Sequence, residues 1–187
     1  LRYPGGDADA PTFGLASERR ERMRAQLTTP EAELPCAFDA LLWALYARYD
    51  GLGLLSGYSG AVPPEVYRRL SDDGATAARV ECFASFFNRT LPRYFGLFYD
   101  LERHFGCLGN FFDAEFVTGL YVCNPPFTVN MMNRTVERIA GQIAAAERRG
   151  GELAFLLVVA AWDRTDRTAL GLPTKTYAGE DDVATRT

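Results

Sequence analysis

Within this chain of 187 residues, the stretch best suited to chemistry is Asn124-Pro125-Pro126-Phe127. It follows Gly119-Leu120-Tyr121-Val122-Cys123, an apolar run of strand type, and precedes a long amphipathic segment. Two adjacent prolines forbid both helix and ladder pairing, so the strand must stop abruptly there. The Asn124 amide and the Phe127 ring are thereby displayed at the carboxyl end of a strand, where open α/β sheets bind ligands. The amide oxygen and the freed Pro125 carbonyl can each accept one hydrogen of a planar amine, while the ring stacks on the group that carries it. Such a set works by positioning rather than by making bonds of its own.

The pattern (Asp/Asn/Ser)-Pro-Pro-(aromatic) resembles the signature of methyltransferases that act on the exocyclic amino group of a base or on a glutamine amide. Adenine N6 is a poor nucleophile because its lone pair is delocalised into the ring. Two acceptors on its hydrogens draw the nitrogen toward tetrahedral geometry and aim the lone pair at a methyl sulfonium. Neither imidazole nor thiolate is needed, which agrees with a chain that holds one histidine. A plainer reading, a proline-stopped strand with a packed Phe, stays open for the tetrapeptide alone.

The elements that must position these residues can be read in order. Glu18 to Gln26 reads as a short solvated helix carrying Arg19, Arg20, Arg22 and Arg24 among glutamates. Thr29-Pro30-Glu31 reads as a helix start, which Pro35 leaves ambiguous by a turn. Phe38, Leu41, Leu42, Leu45 and Tyr49 then share one helical face, ended by Asp50-Gly51. Pro63-Pro64-Glu65 opens a second helix with Val66 and Leu70 facing inward. Ala78 to Ala84 alternates with period two, placing Ala78, Val80, Cys82 and Ala84 on one face. The aromatics between Phe86 and Phe112 read mainly as core. Beyond the tetrapeptide, Met132, Val136, Ile139 and Ile143 mark a helix face, and Glu152 to Ala161 reads as a strand buried on both faces. Strand, Pro-Pro loop, helix and strand make one βαβ unit. Three or four strands are in sight, against seven in a full methyltransferase sheet, so the sheet reads as incomplete or reduced.

Composition narrows the class. A hydrophobic content of 48% is globular, and a net charge of −4 excludes a chain-wide nonspecific nucleic-acid binder while leaving room for a local basic face. Cys36, Cys82, Cys107 and Cys123 lie far apart, which argues for free thiols rather than disulfides or zinc. His104 has no second ligand at metal spacing, so no metal is expected. With no long apolar run, the chain reads as soluble and intracellular.

Three blocks together resemble one family: Val80 to Asn88 (VECFASFFN), Phe105 to Asp113 (FGCLGNFFD), and Cys123 to Phe127. A weaker block is the apolar strand ending in Trp162. Over residues 38–164 the chain resembles the cap-specific adenosine N6-methyltransferases, factors that bind the phosphorylated C-terminal domain of RNA polymerase II. The resemblance implies a Rossmann-like class I methyltransferase sheet with an N-terminal helical extension, and S-adenosyl-L-methionine as cofactor. The implied reaction is N6-methylation of the cap-adjacent 2′-O-methyladenosine of messenger RNA. Asn124, Pro125, Pro126 and Phe127 match the catalytic tetrapeptide, with Asn124 and Phe127 also contacting the cofactor. Phe83, Ala84, Ser85, Asn88 and Asp113 fall where the cofactor pocket is expected, and Trp162, Asp163 and Arg164 where substrate is contacted. The implied partners are capped RNA and, through segments outside this sequence, the polymerase tail; no membrane is implied, and the setting is nuclear.

The chain departs from the family at three points. Phe86 stands where the family has Pro, and Val129 and Ala161 stand where it has glutamates on the substrate side. Those losses keep two alternatives in view: an inactive methyltransferase fold serving as a binding module, and an N-methyltransferase for DNA adenine or a protein glutamine. The expected organisation is a flexible, charged lead-in at 1–28, a helical segment at 29–76, a methyltransferase core at 77–164 and a polar tail at 165–187.

Overall fold

The apolar stripe Phe38, Leu41, Leu42, Leu45 and Tyr49 is the inner face of a helix, and all five side chains are buried. The computed structural model describes residues 14–54, 62–71 (backbone only at 70 and 71) and 80–159. In chain order these hold α1 (Ser17–Arg24), α2 (Phe38–Gly51), α3 (Pro64–Ser71), β1 (Val80–Glu81), β2 (Arg93–Tyr94), α4 (Tyr99–Glu102), β3 (Gly119–Cys123), α5 (Val129–Arg148) and β4 (Leu153–Leu157). The four strands form one parallel sheet in the order β2-β1-β3-β4, so the chain is a mixed α/β structure.

The order matters for function. From β1 the chain moves to one neighbour, β2, and then crosses back to the other side of β1 to lay down β3 and β4. The direction of winding therefore reverses between β1 and β3. In open parallel sheets the crevice for a ligand lies at that reversal, beyond the carboxyl ends of the strands.

Side chains alternate across β3. Tyr121 and Cys123 join a cluster with Phe95, Phe111, Phe116 and Ile139 of α5, while Leu120 and Val122 pack with Val62 and Tyr67 on the opposite face. A second core lies beside the sheet, where α1 (Met23) and α2 meet Phe86, Tyr94, Phe105 and Cys107. The helical segment is thus packed against the chain that leaves β1 and β2. Arg20 fixes α1 to α2 through two hydrogen bonds of 2.6 Å to Asp39.

Several expectations change. Of the Ala78 to Ala84 run only Val80–Glu81 is ladder-paired, and both residues are buried, so the alternation does not mark a solvent face; residues 78 and 79 lie outside the described set. Thr29 does not cap a helix: its hydroxyl meets His104 Nδ1 at 3.1 Å, a short 3₁₀ turn covers Glu31–Glu33, and α2 starts only at Phe38. On α5 the buried residues are Thr135, Gln142 and Ala146, with Ile139 half-buried beside them, whereas Val136 is 49% exposed. The reason is a specific contact, since Gln142 Oε1 accepts the Phe116 N–H at 3.0 Å and turns that face of the helix inward. Among the described residues β4 stands at the edge of the sheet, with Ala154 exposed and its other residues half-buried, rather than as a strand covered on both faces. Leu70's side chain lies outside the described residues. Among the described residues no helix is long and apolar enough to cross a membrane, and no cluster of metal-ligating side chains occurs.

Candidate active site

Parallel pairing sends every strand's exit to one rim. The Cys82 N–H donates to the Val122 carbonyl at 2.7 Å, so the segment leaving β1 starts beside the end of β3. Phe95 leaves β2 on the same side, its N–H bonded to the Glu81 carbonyl at 2.8 Å. Cys107 bridges to Tyr94 in parallel, which brings Leu108, Gly109 and Asn110 to that rim as well. Asn124-Pro125-Pro126-Phe127 leaves β3 among them.

The tetrapeptide is a tight, partly shielded connection. Pro125 is fully buried and acts as its anchor; Asn124, Pro126 and Phe127 are half-buried. The Thr128 N–H folds back on the Pro126 carbonyl at 2.8 Å, and the Thr128 hydroxyl caps α5 by accepting the Met131 N–H at 3.4 Å. Among the described residues no backbone N–H reaches the Pro125 carbonyl. The two prolines thus leave an acceptor at the rim that the sheet does not use. Val129, the next position on α5, is 79% exposed.

The segment leaving β1 is braced internally. Asn88 Oδ1 accepts from the Ser85 N–H at 2.7 Å and from the Ser85 hydroxyl at 3.0 Å, and the Phe87 N–H approaches Ser85 Oγ at 3.3 Å. Ser85 and Asn88 therefore hold the turn with their own polar atoms. The Ala84 N–H donates to Phe95 O at 3.0 Å. Phe83 packs on Phe111 and Phe112, with ring centroids 4.8 and 5.9 Å away, and Arg134 of α5 lies 4.7 Å over the Phe112 ring. Phe83 and the first turns of α5 are thereby linked through one aromatic cluster.

Asp113 lines a cleft of about 330 Å³ with Tyr99, Leu108, Gly109, Asn110 and Ala114. Asn110 shapes the wall, its carboxamide accepting the Phe112 N–H at 2.9 Å. A carboxylate, a carboxamide and a half-exposed phenol line it, with no Lys or Arg. That donor set suits the ribose hydroxyls and the positive charge of a sulfonium nucleoside and is poor for phosphates. The lining is therefore compatible in its chemistry with S-adenosylmethionine. Trp162, Asp163 and Arg164, expected on the substrate side, lie outside the described residues, as does Ala161.

Two buried carboxylates organise the rim and were not singled out by sequence reasoning. Glu81 takes the N–H groups of Thr90 and Leu91 and the Tyr67 hydroxyl. Glu102 accepts from the Tyr49 hydroxyl (2.9 Å), the Phe86 N–H (2.9 Å), the Phe98 N–H (3.1 Å) and the Tyr94 hydroxyl (3.3 Å). Burial raises the pKa of each above the ordinary glutamate value, and the hydrogen bonds oppose that shift. Neither stands out in the sequence: Glu81 follows Arg79-Val80, and Glu102 lies between Asp100-Leu101 and Arg103. Burial likewise pushes the Cys107 thiol up to about 11 and raises that of Cys82, so neither is a nucleophile at neutral pH.

Known proteins resemble this chain over most of its length. The family model described as phosphorylated CTD interacting factor 1 WW domain matches residues 25–185. A mouse (Mus musculus) protein named mRNA (2'-O-methyladenosine-N(6)-)-methyltransferase is 29% identical over 142 residues, which is 72% of this chain and 19% of that relative. The human (Homo sapiens) protein of the same name is 28% identical over 142 residues, covering 72% of this chain and 20% of its own length. The chain spans about a fifth of the length of these curated relatives.

Proposed function

Because the chain belongs to the phosphorylated CTD interacting factor 1 family, we propose that it is an S-adenosylmethionine-dependent N6-methyltransferase of adenosine in RNA. The proposed target is the cap-adjacent 2′-O-methyladenosine of messenger RNA, and the proposed setting is the nucleus, with the polymerase tail as a partner. In this reading residues 77–164 are a Rossmann-like methyltransferase core, residues 29–76 a helical segment beside it, residues 1–28 a charged lead-in and residues 165–187 a polar tail. One observation supports it above the others. The Asn124-Pro125-Pro126-Phe127 turn stands at the reversal of a parallel sheet, beside the exit of β1 and with the Pro125 carbonyl unused by the sheet.

S-adenosylmethionine supplies, when bound, an electrophilic methyl on a sulfonium. This chain's residues would do the rest. Asn124 Oδ1 and Pro125 O would each accept one N6 hydrogen, pulling the amine out of conjugation and orienting its lone pair. Phe127 would hold the base in plane by stacking, and Asp113 would receive the ribose hydroxyls of the cofactor. Ser85 and Asn88 act indirectly by fixing the turn between β1 and Arg89. Trp162, Asp163 and Arg164 complete the substrate side of the proposal.

Val129 favours a second reading. An exposed valine one residue past the tetrapeptide's Thr128 cap offers no carboxylate to a nucleotide, as a fold kept for binding alone would allow. Calorimetry with S-adenosylmethionine separates the readings. Micromolar binding by the 187-residue chain, and by Asn124→Ala to within a few-fold, supports the enzyme. No binding by either points to the binding module.

A further inference from the structure

Among the described residues β4 ends the sheet with half of its hydrogen-bonding groups open. The Glu152 carbonyl accepts the Gly119 N–H at 2.8 Å, and the Val158 N–H donates to the Cys123 carbonyl at 2.7 Å, so the even-numbered residues of this strand face β3. Backbone groups switch sides from one residue to the next along a strand, which turns the N–H and C=O of Leu153, Phe155 and Leu157 to the free side. There they meet no backbone partner among the described residues. Sheet edges are ordinarily guarded by a Lys, a Pro, a bulge or a covering segment. The strand reads Leu-Ala-Phe-Leu-Leu, and its register with β3 runs without a bulge, so the first three guards are missing.

α5 adds an apolar flank on the same side. Its inner face is Thr135, Ile139, Gln142 and Ala146. The flank turned toward β1 is occupied, because Arg134 lies over Phe112, which packs on Phe83, and Arg138 donates to the Ala114 carbonyl at 2.7 Å. Helical periodicity puts Val129, Met132, Val136, Ala140 and Ile143 on the opposite flank, which therefore overhangs the free edge of β4. Val129 is 79% and Val136 49% exposed, Ala140 is exposed, and Met132 and Ile143 are half-buried. Glu147 closes that flank in the last turn, and no Lys or Arg lies on it.

We propose that the occupant of this face is a second copy of the chain, related by a two-fold axis normal to the sheet and paired antiparallel through β4. Centred on Phe155, that pairing sets Leu153 against the partner's Leu157 and Phe155 against the partner's Phe155, so every open group of the three residues meets an open group. The same axis brings the two α5 helices side by side and antiparallel, about two strand spacings or roughly 10 Å apart, the ordinary distance between packed helices. The apolar flanks then cover each other, and no cation is buried between them. An unrelated strand would satisfy the edge alone, whereas a copy satisfies edge and flank together. α5 runs about 30 Å and a helix on a sheet is about 20 Å deep, so each copy offers roughly 600 Å² of flat face, against about 800 Å² per partner in a standard interface. The association is therefore reversible. The two Asn124 turns stand at opposite ends of the joined sheet, so the dimer does not depend on the proposed reaction.

The test is sedimentation equilibrium of the whole chain, from about 1 to 200 µM, with a dimer Kd of about 10 µM expected for the parent. Val136→Glu and Ala140→Glu each put a carboxylate on an exposed position of the flank, where like charges gather about the axis. Each should weaken the dimer about tenfold or more and leave the thermal midpoint of the monomer unchanged. Amide hydrogen exchange at the two ends of the concentration range locates the contact. Leu153, Phe155 and Leu157 should exchange slowly in the dimer and fast in the monomer, with Ala154 and Leu156 slow in both. A chain that stays monomeric at all these concentrations overturns the proposal. So does a dimer that both variants leave intact, or one in which those three amides stay fast. Slow exchange of the three in the monomer also overturns it, and gives the edge to residues 160–187 of the same chain.

Discussion

Replacing Glu102 with Ala tests whether one carboxylate holds the helical segment to the functional rim. Glu102 is fully buried and receives four donors from four places: Tyr49 of α2, Phe86 beyond β1, Tyr94 of β2 and Phe98 beyond it. In Glu102→Ala the N–H groups of Phe86 and Phe98 lose their acceptor, at about 1–3 kcal/mol each for a buried donor left unsatisfied. Removing a carboxylate whose burial is itself unfavourable offsets part of that, and the vacated volume adds a packing loss. The net expectation is a loss of about 3 kcal/mol in urea unfolding at neutral pH. Glu102→Gln keeps one acceptor oxygen but turns an NH₂ toward two donors, so it should fall between parent and Ala. S-adenosylmethionine affinity should fall in the same order, because Phe86 anchors the turn between Ser85 and Asn88. An Ala variant within about 0.5 kcal/mol of the parent, the ordinary range for a surface substitution, would refute the reasoning.

Other outcomes follow from the same geometry. Glu102 has a folded-state pKa raised above its ordinary value of 4.5, so its contribution is complete below that pH and is lost as pH rises through the folded pKa. The stability gap between parent and Glu102→Gln should therefore widen as pH falls from 7 toward about 5; His104, whose pKa burial depresses, is present in both and cancels. A gap that narrows in urea titrations over that window contradicts the assignment. Gly106 has φ +90°, and a Cβ there would stand 2.3 Å from the Pro92 carbonyl, which is backbone and cannot swing away. Gly106→Ala should cost about 2–3 kcal/mol in the same assay. Phe127→Ala should weaken RNA by about 1–3 kcal/mol through lost stacking, measured by anisotropy, with cofactor affinity held within a few-fold.

Much of the site was legible because its physics is local. Two prolines end a strand whatever surrounds them, and the run before Asn124 did become β3. The α2 stripe was legible for the same reason, its period matching a helix with a single core to face. What escaped depends on partners distant in sequence. Thr135 and Gln142 are the buried residues of α5 and Val136 is exposed, because Gln142 finds the Phe116 N–H, a contact that spacing along the helix does not announce. The apolar run at Leu153–Leu157 reads like a central strand, yet its place in the sheet is set by which neighbours are present, and among the described residues it has one. Glu81 and Glu102 look like ordinary solvated acids until the backbone N–H groups they collect are placed around them.

The central claim is methyl transfer to adenosine N6, and the direct measurement is transfer of labelled methyl from S-adenosylmethionine to a capped RNA beginning with 2′-O-methyladenosine. Duplex DNA, a glutamine peptide and Asn124→Ala serve as comparisons, with the modified nucleoside identified after digestion. The parent should yield N6,2′-O-dimethyladenosine on capped RNA, and Asn124→Ala none while its cofactor affinity stays within a few-fold. Turnover by Asn124→Ala at the parental rate, or labelling of DNA or peptide in place of RNA, would contradict it.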